Sequence, residues 1–570
     1  MPNTKNQKVA SFNAAERMHR EASHPLCASP RKLNFLSVKQ SGYLLALIFF
    51  CLFFIVPAIA DAEETVVYWN PWVTKTNTDS ATINWHGSGS KAGKIDYATT
   101  SYYNANSHTF DKKAESSTTG AYQHVKLTGL DSNKSYTYRV TTSDTPEHVF
   151  SDRTFRTMPV SGPFTFIVIS DTHVQEGRFQ YVADAIAANE TDVLFILDGG
   201  DYAGHDDADL WTKYFEVADG MLAKFPIFTT IGNHEYHNPS DSTKITEAVQ
   251  YHSSFDVPTD GALNHFFDCA GIRFIILDSP DPNNANGDDP HTSLALAQSQ
   301  APWLEGLLKD NMAGVFTIHH HPIWDYFSFM NNPNLQPWED LYHAYPISAN
   351  FAGHTHTYQR YSVWGIPYFI VGNAGGAFSD LISTNGTPVW YVTGITRNLG
   401  YLKVTVDPAN NTATAQEILV GYVVNDDDTD VILYPPYTFD TLTFQLKPTG
   451  GGGAGNCFIA TAAFGSYFDP SVKILRDFRD NFLFTSHVGQ SFVNWYYKVS
   501  PPIADFIRTR EIMKTIVRII LLPAVGFAYL CLNVGVMPTL LMLFFSAAFI
   551  YLGIRRLYRF IPNCYQTLKG

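Results

Sequence analysis

The sequence predicts a multidomain chain made of an all-β sandwich, a layered α/β body and a helical tail. Three observations carry this. Residues from about 65 to 157 show short alternating strands between Gly, Ser, Asn and Asp clusters. From Phe164 onward, near-continuous apolar runs of strand length alternate with helical patterns. Beyond the glycine run Gly450–Gly453, the chain ends in two long apolar stretches.

At 570 residues there is room for two or three such units. A composition of 45% hydrophobic and 16% charged residues is that of a folded chain. The formal net charge of -14 argues against nucleic acid as a partner, because such binding needs a basic face. It leaves an anionic substrate open, since bound cations reverse the field inside a site. Six cysteines are too few for a disulfide scaffold of this length. Only Cys269 and Cys457 lie where a bridge in the folded body is conceivable.

Residues 1–60 read as an export leader. Residues 1–42 are basic and polar, Tyr43–Val56 is almost wholly apolar, and Pro57-Ala58-Ile59-Ala60 ends in an A-x-A site. An uncleaved N-terminal anchor is the other reading, and in both the body is exported.

The first folded unit spans 62–159, with strands expected at Ala81–Trp85, Gly93–Tyr97, His124–Thr128 and Ser135–Val140. Leu127-Thr-Gly-Leu130, a polar turn and Tyr136-x-Tyr138-x-Val140 resemble the strand–turn–strand corner of a fibronectin type III module. That resemblance implies a spacer or partner surface without chemistry.

The second unit spans 162–447. Strands are expected at Phe164–Ile169, Val193–Leu197, Ile227–Ile231, Ile272–Leu277, Val315–Ile318 and Ile366–Val371, with helices at Phe179–Asn189 and Leu294–Asp310. Five polar motifs follow strand ends in order: Asp171-Thr-His173, Gly200-Asp201, Gly232-Asn-His-Glu235, His319-His-His-Pro322 and Gly353-His-Thr-His356. In α/β folds ligands bind beyond the carboxyl ends of strands. Carboxylate, imidazole and amide donors without thiolates suit Zn, Mn or Fe. In an extended D-x-H or H-x-H both side chains share one face and reach one ion. A single Asp carboxylate can bridge two ions, and a pair of ions clamps a phosphoryl group and activates a bridging water as hydroxide.

The five motifs together resemble the calcineurin-like metallophosphoesterase superfamily, and Gly353-His-Thr-His-Thr-Tyr-Gln-Arg360 after a fibronectin-like module looks most like its purple acid phosphatase branch. The resemblance implies a phosphate ester substrate and two divalent or trivalent ions (Fe, Mn or Zn). Carried over by motif, Asp171, His173 and His356 hold the first ion, and Asn233, His320 and His354 hold the second. Asp201 bridges them, and His234 protonates the leaving oxygen or steadies the transition state. His319 and His321 are candidate substrate contacts, or else pack and hydrogen-bond. The likeness implies a phosphomonoesterase, with a phosphodiesterase or nucleotidase on the same ions, or an inactive adhesion protein, as alternatives.

Two positions depart from the purple branch. His173 stands where D-x-G is usual, and Gly204 stands where that branch has a metal-binding tyrosine. Tyr202, next to Asp201, is expected to point away from it, so no tyrosinate–iron colour is expected. Three bland readings complete the unit. Asp426–Asp430 reads as a solvated loop, Asp206, Asp207 and Asp209 as a polar loop at the site rim, and Trp324, Tyr326 and Phe327 as pocket wall or core.

A flexible linker is expected at 448–456, followed by a tail at 457–570. Cys457-Phe-Ile-Ala-Thr-Ala-Ala-Phe-Gly-Ser466 resembles the Cys-Phe-Ile box of bacterial C-terminal sorting modules. That implies anchoring at the cell envelope, with Cys457 a processing point or a buried structural thiol. Thr539–Ile554, followed by Arg555, Arg556 and Arg559, is the expected membrane span, with Ile519–Val536 lying at the interface or, in the alternative reading, forming a second span.

Overall fold

The computed structural model describes residues 66–552 and 555, except 89–91, 117–119, 258–262, 327–331, 379–380, 382–389, 425–429, 450–458, 466–468, 484–486, 509, 543 and 547–550. The leader, Phe327, the Asp426 loop, most of the linker, Cys457 and the basic end at Arg556 and Arg559 lie outside the described residues.

Seven strands build the first unit: β1 (Tyr68–Thr74), β2 (Ser80–Gly87), β3 (Gly93–Thr99), β4 (Lys112–Glu115), β5 (Tyr122–Thr128), β6 (Ser135–Thr142) and β7 (Arg153–Arg156). Alternation makes them amphipathic, so β5 buries Gln123, Val125 and Leu127 while Lys126 and Thr128 face solvent. One layer is β1-β2-β5 and the other β4-β3-β6-β7. Between them pack Ile83, Trp85, Ile95, Tyr136, Tyr138 and Val140.

The second unit is two facing sheets. Its strands are β8 (Phe164–Ile169), β9 (Phe195–Asp198), β10 (Ile227–Thr229), β11 (His265–Cys269), β12 (Ile272–Ile276), β13 (Asp281–Asn286), β14 (Asp289–His291) and β15 (Gly314–His319). After these come β16 (Ala349–Ala352), β17 (Tyr358–Val363), β18 (Ile366–Val371), β19 (Tyr391–Ile395), β20 (Asn398–Asp407), β21 (Thr412–Val423) and β22 (Val431–Gln445). One sheet runs β22-β21-β20-β8-β9-β10 and the other β11-β12-β15-β16-β18-β17-β19. In the first sheet β8, β9 and β10 are parallel, and in the second β12, β15, β16 and β18 are parallel. Their carboxyl ends meet on one edge of the sandwich.

A phenylalanine core fixes the spacing of the two sheets. The ring of Phe166 lies 5.4 Å from Phe195, 5.1 Å from Phe274, 5.7 Å from Phe316 and 6.0 Å from Phe351. Helices cover the outer faces, with Phe179–Asn189 and Ala208–Val217 on the first sheet and Leu294–Leu308 and Gln336–Ala344 on the second. Strands buried on both faces are near-continuously apolar, and β8, β15 and β18 are buried along their whole length.

The two units share a sheet. β1 continues beyond β10 in parallel through Thr74 and Ile227, extending the first sheet to β1-β2-β5. Trp69 and Trp72 stack on Phe215 at 4.6 and 4.2 Å, and Trp69 Nε1 donates to Thr212 Oγ1 at 3.0 Å. Cys269 is buried with a free thiol.

The tail is helical over most of its described residues. Among the described residues, a helix long and apolar enough to span a bilayer is Glu511–Val534, with 24 residues, while the expected span Thr539–Ile554 lies partly outside the described residues. Its charged groups, Glu511, Lys514 and Arg518, sit in the first turns, leaving a continuous apolar length beyond them. Gly535, at φ 89°, ends it.

Truncating Phe166 to alanine removes the ring that both sheets pack against. Denaturant unfolding should show a loss of about 3–5 kcal/mol.

Candidate metal centre

Every expected ligand stands beyond a strand end on the shared edge. Asp171 and His173 follow β8, Asp201 follows β9, and Asn233 and His234 follow β10, all in the first sheet. His320 follows β15, and His354 and His356 follow β16, in the second. The backbone there is not extended, which corrects the expectation for D-x-H. Asp171 has φ 57° and His173 φ 37°, while Asp201 and His354 stand at 61° and 66°. Asp and His tolerate the left-handed region better than most side chains, and here the turns bring both side chains back over the strand end.

Backbone hydrogen bonds hold these turns. His234 N donates to Asp201 Oδ1 at 2.9 Å, and His354 N to Asp171 Oδ2 at 2.8 Å. Glu235, whose role the sequence left unread, accepts from the backbone N–H groups of Gly232, Asp201 and Tyr202 at 2.8, 2.9 and 2.9 Å. Gly200 has φ 98°, and a Cβ there would lie 2.6 Å from Gly232 N. A Cβ on Gly353 would collide with Ser170 Oγ and Asp171 Oδ2.

The side chains form two clusters that share one residue: Asp171, His173, Asp201 and His356, and then Asp201, His320 and His354. His356 Nε2 lies 3.3 Å from Asp171 Oδ1, His173 Nε2 3.4 Å from Asp201 Oδ2, and His320 Nε2 3.2 Å from the same oxygen. Asn233 joins the second cluster, its Oδ1 lying 2.8 Å from His320 Nε2 and 3.0 Å from His354 Nδ1.

These groups fit a pair of cations. Asp171 Oδ1, His173 Nε2 and Asp201 Oδ2 are buried without a hydrogen-bond partner. Donors about 2.1 Å from a common ion stand about 3.0–3.4 Å apart, the separations seen here. The far ring nitrogens are anchored, His320 Nδ1 to Gly199 O at 2.9 Å and His356 Nδ1 to Ala377 O at 2.5 Å. Such second contacts fix the ring orientation toward an ion.

The electrostatics tell the same story. Burial alone would raise Asp201, but the His320, His234 and His173 imidazoles hold it well below the usual carboxylate range. Burial would lower His320, yet the Asp201 and Asp171 carboxylates push it up to about 10. A buried anionic pocket is thus balanced by a proton where a cation would sit.

The other expected residues separate clearly. His234 is pushed down to about 3 by burial, and its Nδ1 lies 2.9 Å from Gly204 O. A neutral ring must donate from Nδ1 to that carbonyl, leaving the lone pair on Nε2. His319 is corrected as a substrate contact. Its ring is fully buried against Trp338, with Nδ1 on His321 O at 2.7 Å and Nε2 on the Asn350 amide at 2.8 Å. His321 lies beside the second cluster, its ring 4.3 Å from His354 and its Nδ1 3.1 Å from Ser279 Oγ.

Asp206 and Asp207 are helix caps. Asp206 accepts from Val249 N and Gln250 N, and Asp207 from Asp209 N and Leu210 N. Trp324 donates to Glu339 and packs in the core outside the second sheet. Tyr326 stacks edge-on to Tyr391 at 4.9 Å.

Residues 164–358 match the family model of the calcineurin-like phosphoesterases. The chain carries a calcineurin-like phosphoesterase domain. Purple acid phosphatase 21 of Arabidopsis thaliana is 24% identical over 42% of this chain and 54% of its own length. The Fe(3+)-Zn(2+) purple acid phosphatase 12 of the same plant is 22% identical over 57% of this chain and 67% of its own. The match to the former spans about half the relative's length. The structure of purple acid phosphatase PPD1 from yellow lupin (Lupinus luteus) seeds superposes with a TM-score of 0.50 at 15% identity, covering 66% of this chain and 74% of that one. It shares the phosphoesterase fold.

With His320 raised to about 10, the metal-free site carries a proton at neutral pH that an incoming cation must expel. Metal binding should therefore release protons and tighten as pH rises from about 6 to 8. Calorimetry in two buffers of different ionisation enthalpy measures that release.

Proposed function

We propose that this chain is an exported, membrane-anchored phosphomonoesterase that uses two metal ions. The observation that carries the reading is the sharing of the buried Asp201 carboxylate between two complete ligand clusters. Asp171, His173 and His356 would hold one ion, Asn233, His320 and His354 the other, with Asp201 between them. A pair of ions held there would supply Lewis acidity for phosphoryl oxygens and lower the pKa of an attacking water.

The chain's own groups do the rest. The hydrogen bond from His234 Nδ1 to Gly204 O orients its ring edge-on to His173, at 4.5 Å between centroids. Nε2 is then the nitrogen left for substrate. A dianionic phosphate would favour protonation there, and the imidazolium formed can pass its proton to the leaving oxygen. The monoester preference rests on the purple acid phosphatase relatives.

Membrane anchoring rests on exposed apolar surface. On Glu511–Val534, Ile519, Ile520 and Leu522 are 63%, 66% and 56% exposed. The preceding helix, His487–Arg508, leaves Phe492, Trp495, Ile503 and Phe506 exposed at helical spacing along one side. Arg510 then stacks on Phe506 at 3.9 Å, an arrangement suited to the bilayer boundary. The leader pattern at 1–60 supports export.

Two outcomes test this. The metal-loaded chain should hydrolyse nitrophenyl phosphate faster than bis-nitrophenyl phosphate, and His234→Ala should keep both ions but lose about 10²–10⁴-fold in kcat. No hydrolysis with Mn, Zn or Fe sinks the enzymatic reading. Separately, the full chain should float with lipid vesicles, and a chain ending at Thr449 should stay in the aqueous fraction.

A further inference from the structure

The β13–β14 hairpin, Asp281–His291, reaches over the second cluster, and the sequence motifs give it no part in the chemistry. Asp289 Oδ1 accepts from Asn233 Nδ2 at 2.8 Å. His237 Nε2 lies 3.4 Å from the same oxygen. The hairpin is seated firmly, because a Cβ on Gly287 would stand 2.6 Å from Ser242 O, and Asn284 Nδ2 donates to Thr292 O at 2.8 Å.

An asparagine can offer an ion only its carbonyl oxygen. The two ends of its amide are nearly equal in size, so packing alone does not choose which faces the cluster. A carboxylate chooses, since it accepts and cannot donate. With Asp289 taking the NH2 end, Oδ1 must face His320 Nε2 and His354 Nδ1. The anionic acceptor also polarises the amide and makes its oxygen a better donor to a cation.

We propose that Asp289 is a positioning residue for the second ion, acting through the Asn233 amide. This rests on the two-ion reading of the site. The first cluster shares no contact with Asp289, so its ion should be indifferent to the substitution.

The test is Mn(II) titration of the metal-stripped full chain, followed by calorimetry and by the spin-coupled EPR signal of a Mn pair. Wild type should bind two ions. Asp289→Ala should bind the first as wild type does and the second about 10–100-fold more weakly, with the coupled signal lost at stoichiometric metal. Asp289→Asn, which keeps an acceptor oxygen but is neutral and can also donate, should bind the second ion with an affinity between those of the Ala variant and wild type. Asp289→Ala holding both ions as tightly as wild type overturns the proposal. So does loss of both ions together, or an Asn variant as weak as the Ala one. A wild type that binds no pair overturns the two-ion reading itself, a result distinct from any of these.

Discussion

Asp201 must reach donors carried by two different sheets, and much of the architecture near the site follows from that demand. Its carboxylate lies beyond β9 in the first sheet, within 3.4 Å of His173 from the same sheet and 3.2 Å of His320 from the other. Such closeness requires the carboxyl ends of β8, β9, β15 and β16 to converge on one edge. The interlocked rings of Phe166, Phe195, Phe274 and Phe316 set that separation from within. A close-packed core transmits its dimensions rigidly, so the edge inherits a fixed gap.

Assembling the donors is costly in isolation. Asp171 and Asp201 are essentially fully buried, and four ligand positions occupy the left-handed region. Buried carboxylates need compensation from donors or cations, and strained turns persist only when their surroundings over-determine them. Both needs are met by the same contacts. The N–H groups of His234 and His354 satisfy carboxylate oxygens while locking the turns. The atoms left over, Asp171 Oδ1, Asp201 Oδ2 and His173 Nε2, are ones that would face a bound cation.

Much of this was legible in the sequence where cause and residue are contiguous. β8, β18 and the helix Phe179–Asn189 stand at their expected bounds, because long apolar runs or clear helical periodicity are bounded by turn residues. The strand-end motifs were legible for the same reason. β20, β21 and β22 were not seen. They form the edge of the first sheet, and β22 is largely exposed, so its pattern lacks the apolar density of a central strand. Within the site, His320 was set apart from its two neighbours only by the family resemblance, whose motif places the ligand two residues before the proline, here Pro322. Glu235, Gln175 and Asp289 were not distinguishable, since each acts through a contact distant in sequence or set by a turn.

Gln175 explains how the site lives without the tyrosine of the purple branch. At the corresponding position Gly204 has φ 93°, and a Cβ there would run into the Gln175 amide. That amide instead lies 3.2 Å from His173 Nδ1, which leaves His173 Nε2 directed at Asp201. Tyr202 is withdrawn into the core, its hydroxyl donating to Thr230 O at 3.1 Å among Trp211, Tyr214 and Phe255. A tyrosine at 204 would therefore need Gln175 removed, which would free the His173 ring to turn. Imidazole in place of a phenolate would also lower the negative charge that Asp171, His173, Asp201 and His356 offer to a cation by one unit. Three residues on two loops have to change together for this exchange, and they form one contiguous contact.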